Sequence, residues 1–175
     1  MQKQIAFLRA INVGGHTVKM ERLRELFEEL GLARVETFIA SGNVIFDAPD
    51  RRPRLASEIE THLEGALGYS VATFIRTDAD VAAIARRAPV LPGFQTVNVA
   101  LLAEPLTKAA RQALGGLRTG IDDFHVQERE VYWLCRARQS ESAFSNALFE
   151  RTLKIKSTFR SLSTIAKLAA KYPPS

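Results

Sequence analysis

Residues able to hold an anion concentrate in a short segment near the N-terminus. It runs from Arg9 to Lys19 (RAINVGGHTVK) and links an apolar run to a charged, helix-like segment. Glycines let backbone amides approach a ligand closely, and a helix N-terminus offers unpaired N–H donors and a partial positive charge. Asn12, Gly14, Gly15 and Lys19 therefore predict a site for a phosphate or carboxylate group. A second interpretation stays open, in which the glycines only permit the turn.

Another polar segment, Ser41-Gly42-Asn43, lies between two β-prone runs and is typical of a tight hairpin. Its residues belong to the same predicted ligand site, although Gly-Asn also suits a hairpin turn without any ligand. Neither polar segment matches the GxxxxGK[ST] phosphate loop or the GxGxxG dinucleotide turn. The prediction is thus a small anionic or nucleotide-like ligand, with no specific cofactor indicated.

Arg9 adds a charge to a run that is otherwise apolar. We predict a strand over residues 3–11, central in its sheet, so that Arg9 would be buried within it. A buried charge requires a partner, because an uncompensated one is very costly. Two kinds of partner are possible: an acidic side chain from another segment, or a bound ligand.

The C-terminal segment accounts for the whole net positive charge of the chain. Residues 150–175 hold six Lys or Arg and one Glu, and the net charge of the chain is +5. Arg160 lies among the hydroxyls of residues 157–164, which we predict to begin the last helix and to suit an anion. A basic segment also attracts nucleic acid, so RNA or DNA binding is the alternative function. The β-hairpin residues do not fit the RNA-recognition pattern KGFGFVxF or its variants.

Apolar periodicity predicts the elements that position these residues. Both halves have the order β-α-β-β-α-β followed by a helix, which indicates an α+β fold of two tandem ferredoxin-like subdomains with antiparallel sheets. We place the subdomains at residues 1–88 and 94–175. In a sheet of order 4-1-3-2, the loop leaving strand one and the hairpin between strands two and three emerge at the same end. The last strand, predicted over residues 152–155, reads equally well as a loop.

Other classes of protein are disfavoured by composition. The chain has 175 residues, 46% of them hydrophobic, and no apolar run approaches the roughly 18 residues that span a membrane. The single cysteine, Cys135, and the absence of a signal-like start predict a cytoplasmic protein. His16, His62 and His125 are scattered without metal-ligand spacing, so no metal is expected. The sequence specifies no catalytic set, so enzymatic activity stays undetermined, as does oligomeric state.

The stretch from Ala6 to Phe46 resembles the N-terminal signature of the bacterial DUF1697 family. That signature has a Leu-Leu-Arg-Gly-Ile-Asn-Val-Gly-Gly run, a Lys-Met helix start and a Ser-Gly-Asn hairpin, which match residues 7–15, 19–20 and 41–43. The resemblance implies a cytosolic protein with two ferredoxin-like subdomains and no established activity.

Two positions depart from that family pattern. Ala10 stands where the family typically has glycine, which we interpret as a mild change within a strand. Residues 158–164 (TFRSLST) replace a Thr-Thr-Arg-Asn-Trp-Asn-Thr run, keeping the arginine and the outer threonines. The change removes two asparagines and a tryptophan; if the segment forms a site in relatives, its polar contacts and aromatic surface are altered here.

Overall fold

A computed structural model describes residues 1–12, 14–39 and 42–175. These residues divide into two compact units, which are Met1–Val81 with Lys171–Ser175, and Ala82–Ala170. Each unit contains a four-stranded antiparallel sheet. The chain is therefore α+β, as the periodicity of the sequence predicts.

The elements follow one another in nearly the predicted order. The first half contains β1 (Gln2–Leu8), α1 (Met20–Glu29), β2 (Ala33–Thr37), β3 (Asn43–Ala48), α2 (Leu55–Leu67), β4 (Thr73–Thr77) and α3 (Asp78–Arg86). The second contains β5 (Thr96–Leu101), α4 (Lys108–Gly115), β6 (Asp122–Gln127), β7 (Glu130–Cys135), a 3-10 turn at Gln139–Glu141, α5 (Asn146–Leu153), β8 (Thr158–Ser161) and α6 (Leu162–Lys171).

Strand order is the same in both sheets. The first sheet runs β2-β3-β1-β4 and the second β6-β7-β5-β8, with every pairing antiparallel. This is the predicted 4-1-3-2 order. It makes β1 and β5 the strands that join the hairpin of each half to its last strand.

In the first unit, one face of the sheet packs against α1 and α2. Ala6, Leu8 and Phe46 lie in the same buried cluster as Leu23 and Ile59 of the helices, because residues two apart on a strand share a face. The alternate residues of β1 and β3 are buried as well. Polar groups in these strands must therefore find partners within the protein.

The C-terminal residues return to the first unit and contact β2 there. The Tyr172 hydroxyl donates a 2.6 Å hydrogen bond to a carboxylate oxygen of Glu36. Burial, with the hydrogen bond to Glu36, raises the pKa of Tyr172 well above its usual range. The Lys171 ammonium lies 4.7 Å from the centre of the Phe38 ring, a cation–π contact.

The last strand differs from the predicted one. Residues 152 and 153 belong to α5, since Leu153 is buried in the core with Phe149. Lys154 then ends the helix with a left-handed φ of +56°. The strand follows at Thr158–Ser161, where we predicted the start of the last helix, and α6 begins only at Leu162.

In the second unit, Asp122 connects β6 to β7 and to the segment before α5. Its carboxylate accepts hydrogen bonds from Trp133 Nε1 at 2.8 Å, Thr119 Oγ1 at 2.8 Å and Ser142 Oγ at 2.8 Å. Burial by itself would raise the pKa of Asp122, but these hydrogen bonds lower it below the ordinary 3.8.

Replacing Asp122 with Asn should destabilise the protein by about 2–3 kcal/mol at pH 7, because three donors lose a charged acceptor. A carboxyl group with a lowered pKa stabilises the fold above its ordinary pKa, and this contribution disappears as the pH falls through the folded-state pKa. Urea unfolding followed from pH 7 to pH 2 should therefore show the difference between wild type and Asp122→Asn shrinking at low pH.

The control is the neighbouring Asp123→Asn, which removes an exposed ion pair with Arg118 at 2.8 Å. Such a pair contributes less than about 1 kcal/mol. Equal losses of stability in both variants would contradict the role assigned to Asp122.

Candidate functional site

The chain leaves the first sheet earlier than the sequence predicts. β1 ends at Leu8, and Ala10 has a φ of +55°, in the left-handed region that a strand does not use. The prediction that the strand continues to Ile11 is therefore wrong. Arg9 is not a buried arginine within a central strand: it is partly buried at the start of the loop, where its amide donates to the carbonyl of Ala72 at 2.9 Å.

Side-chain hydrogen bonds close the loop between β1 and α1. Asn12 Oδ1 accepts a 2.7 Å hydrogen bond from the amide of Val18. The Tyr69 hydroxyl donates to the carbonyl of Ile11 at 2.8 Å, and the His16 ring stacks on the Tyr69 ring with centroids 3.9 Å apart. The side-chain oxygen of Asn12 is thus directed at its own loop, so that its contribution is to the shape of the loop.

Gly14 and Gly15 form the exposed tip of this loop. Their φ angles are +63° and +84°, and a Cβ atom at either position would meet nothing within 4 Å. The glycines are therefore required by backbone conformation and not by close packing. Both residues are exposed, which leaves room for a ligand beside them.

The loop leads into the N-terminus of α1. Lys19 occupies the N-cap position, is exposed, and makes no capping hydrogen bond with its side chain. A lysine side chain cannot accept a hydrogen bond from the first-turn amides, so the N-cap side chain leaves these donors uncapped. Glu21, in the first turn, is the carboxylate that competes with an external anion for this positive end.

The hairpin between β2 and β3 adjoins the start of the loop. The amide of Leu8 donates to the carbonyl of Gly42 at 2.8 Å. Asn43 is the first residue of β3 and not part of the turn; its side chain is buried and donates to the carbonyls of Phe38 and Ile39 at 3.1 and 3.4 Å. Ser41 lies outside the described residues.

Arg160 lies in β8 of the second unit and not on the last helix. Its Nη1 donates to Thr158 Oγ1 at 2.7 Å and to the carbonyl of Phe159 at 2.9 Å, and burial lowers its pKa to about 10. The nearby hydroxyl of Ser161 caps α6 by accepting from the amide of Thr164 at 3.1 Å. The Arg160 guanidinium and the Ser161 hydroxyl therefore both have hydrogen-bond partners within the second unit.

Sequence reasoning missed a matching arginine in the first unit. Arg76 of β4 is 1% exposed, and its Nη1 donates to the preceding carbonyl, that of Ile75, at 2.9 Å. It follows the residue that pairs with Ala6 of β1, just as Arg160 follows the residue that pairs with Ala100 of β5. A Thr-Phe dipeptide comes shortly before each arginine, at residues 73–74 and 158–159. This repeat in the sequence could have identified the two arginines as equivalent.

The basic residues of the C-terminal segment are divided among several elements. Arg151 lies on α5, Lys154 at the end of that helix, and Lys167 on α6. Over residues 1–12, 14–39 and 42–175, no helix has the length and apolarity needed to cross a membrane. The same residues include no group of three or more His, Cys, Asp or Glu side chains arranged to hold a metal ion.

Comparison with known proteins identifies a family and a fold. Residues 1–132 match the model of DUF1697, described as a protein of unknown function. The solved structure of the conserved bacterial protein SP0830 from Streptococcus pneumoniae is similar over 98% of both chains, with a TM-score of 0.80 and 22% identity. No curated protein gives a significant match. At this level of identity, the similarity between the two proteins shows a common fold only.

The conformation of Ala10 explains the glycine of the family signature and gives a prediction. An alanine at φ +55° carries strain of about 1–2 kcal/mol that glycine avoids, and the greater freedom of glycine in the unfolded chain offsets part of the gain. Ala10→Gly should therefore stabilise the protein by roughly 0.5–1 kcal/mol, measured by chemical denaturation.

The exposed helical Ala66 of α2 provides the control. Ala66→Gly should lower stability by roughly 0.5–1 kcal/mol, the ordinary cost of glycine in a helix. If Ala10→Gly also lowers stability, the left-handed conformation assigned to residue 10 is wrong.

Proposed function

Because the chain belongs to the DUF1697 family of proteins of unknown function, we propose a function from its own residues: the loop of residues 9–19 binds a small anionic or nucleotide-like ligand. The anionic group, a phosphate or a carboxylate, sits at the N-terminus of α1. The observation that carries this proposal is the exposed Gly14-Gly15 tip leading to a helix start with Lys19 at the N-cap and no capping side chain.

The proposed contacts divide into groups that bind and groups that hold the loop. Lys19 and the amides around Gly14 and Gly15 contact the anion, because they are exposed and carry positive or donor character. Asn12 maintains the loop through its bond to Val18. A preformed loop binds with a smaller loss of conformational entropy, since its ordering has already been paid for by folding.

The hairpin residues form the second part of the proposed site. Asn43 fixes the turn by its hydrogen bonds to two carbonyls, and Gly42 ties that turn to the end of β1. Arg9 and Ser41 belong to the proposed set as additional polar groups from the two segments. Arg160 is left out of the proposed set, because its guanidinium donates to Thr158 and Phe159 of its own strand.

The exposed His16 ring extends the proposal towards nucleotides. It stacks on Tyr69 at the edge of the same loop and presents its second face to solvent. Aromatic rings stack on nucleobases with about 1–3 kcal/mol per base. A ligand with a phosphate at α1 and a base against His16 would use both features. We assign no reaction to this site.

For the architecture, we infer that each half is a ferredoxin-like subdomain, with bounds of 1–88 and 94–175. The support is the repeated element order and the common strand order of the two sheets. We also propose a cytoplasmic location, in line with the single cysteine, Cys135, which is buried as a free thiol.

Nuclear magnetic resonance titration at low ionic strength tests the binding site. Inorganic phosphate, pyrophosphate and adenosine monophosphate should shift the amide signals of residues 14, 15 and 19–22. Lys19→Gln should weaken binding about fivefold, which corresponds to about 1 kcal/mol from loss of one cation at the helix start. Glu21→Gln should strengthen binding, because it removes the competing carboxylate.

The matched control is Lys108→Gln at the start of α4. That helix is already capped by Thr107 Oγ1, which accepts from the amide of Ala110 at 3.1 Å, so affinity should not change. Shifts confined to other segments, or equal binding by wild type and Lys19→Gln, would overturn the proposed site.

A further inference from the structure

We propose that a cleft in the second unit binds an uncharged ring compound that carries adjacent hydrogen-bond donors and acceptors, the chemistry shared by nucleobases and pyranose sugars. The cleft lies where β5 begins and α6 follows β8, and its volume is about 490 Å³. This size falls in the range of about 300–1,000 Å³ typical of small-molecule sites.

The lining of the cleft has a consistent chemical character: every side chain that lines it is uncharged. The lining residues are Gln95, Thr96, Val97, Asn98, Gln139, Ser161, Leu162, Ser163 and Ala166. Side-chain amides present a donor and an acceptor side by side, and hydroxyls do both. A charged ligand would lose water here without gaining an opposite charge, whereas a neutral ring with paired donors and acceptors is matched.

Thr96 supplies an observation that points to a missing hydrogen-bond partner. Its Oγ1 is buried and has no hydrogen-bond partner among the residues that the structure describes. A buried hydroxyl without a partner costs about 1–3 kcal/mol. Because Thr96 lines the cleft and is only partly buried as a residue, rotation of its side chain would bring Oγ1 to a ligand hydroxyl or ring nitrogen, which would satisfy it.

Asn98 stands beside Thr96 in the same cleft. It is 8% exposed, and it pairs with Trp133 of β7 on one side and with Ser161 of β8 on the other. Its amide nitrogen donates to Gln139 Oε1 at 3.4 Å, a long hydrogen bond. A ligand can exchange this weak contact for a shorter one without opening the sheet.

A second cleft of about 550 Å³ shares Gln139 with the first and adds apolar surface. Trp133, Phe144 and Phe159 line it, and the rings of Trp133 and Phe144 lie 4.6 Å apart. Ser145 and Asn146 add further uncharged polar groups. The aromatic edges suit the apolar face of a ring whose polar edge reaches Gln139.

The fluorescence of Trp133 reports binding, since it is the single tryptophan of the chain, lines the aromatic cleft and pairs in register with Asn98 of the polar cleft. Titration with adenosine and uridine forms one arm, and titration with glucose and N-acetylglucosamine the other. We expect a saturable change in one arm, which identifies the source of the ring. Inorganic phosphate should leave the signal unchanged.

Ala166→Phe fills the polar cleft from the exposed side of α6. It should weaken the response to the active compound by at least about tenfold. The matched control, Ala170→Phe, adds the same ring to another exposed position of α6 that does not line the cleft, and should bind as wild type does. Gln139→Ala, at an exposed position of the 3-10 turn, should weaken binding without disturbing α6.

The proposal is overturned if no compound in either arm produces a saturable change up to its solubility limit. It is also overturned if binding occurs but neither Ala166→Phe nor Gln139→Ala weakens it. Neither result bears on the proposed site in the loop of residues 9–19, because that site is tested with anions and its binding is detected at the amides of the loop and α1.

Discussion

The position of β1 between β3 and β4 is the constraint on which the proposed loop site depends. Antiparallel pairing with β3 on one side and β4 on the other holds β1 in the sheet, and the chain turns away after Leu8. The left-handed Ala10 makes this turn. The hydrogen bond from the Leu8 amide to the Gly42 carbonyl places the hairpin beside it. The loop is thus shaped by the end of the sheet, and Asn12 maintains that shape.

The same strand order recurs in the second unit, but the polar groups at its sheet end differ. In the first unit, Asn43 begins β3 as a buried amide; in the second, Glu130 begins β7 as a buried carboxylate, and the two pair with the equivalent residues Phe7 and Leu101. The edge strands keep an arginine at the equivalent register in both units. Repetition therefore includes particular buried polar side chains as well as the order of elements.

The sequence predicts most of the architecture because helical and strand periodicities are strong in it. Leu55, Ile59 and Leu63 are spaced for one helical face, and all three are buried. The predictions fail where a local signal is weak. The short edge strand β8 contains Thr, Arg and Ser, which also suit a helix start, and no periodicity distinguishes the two. The turn at Ala10 was missed because alanine seldom adopts a positive φ.

For the candidate site, the sequence predicts which segments are involved but not the role of each side chain. Asparagine next to glycine is compatible with ligand contact and with turn stabilisation, and only the partners of Asn12 and Asn43 distinguish these roles. The uncharged cleft of the second unit could not be predicted from the sequence, because its residues come from β5, the 3-10 turn and α6. No spacing along the chain connects them.

The contact between Tyr172 and Glu36 has a consequence for the order of folding. The two residues are 136 positions apart in sequence, so a ribosome synthesises all of β3, β4 and the second unit before Tyr172 emerges. A first sheet that forms during synthesis therefore forms without this contact. Closing so long a loop adds an entropic barrier that grows only slowly with length. The C-terminal residues are thus expected to join β2 as a late step, after both sheets have been made.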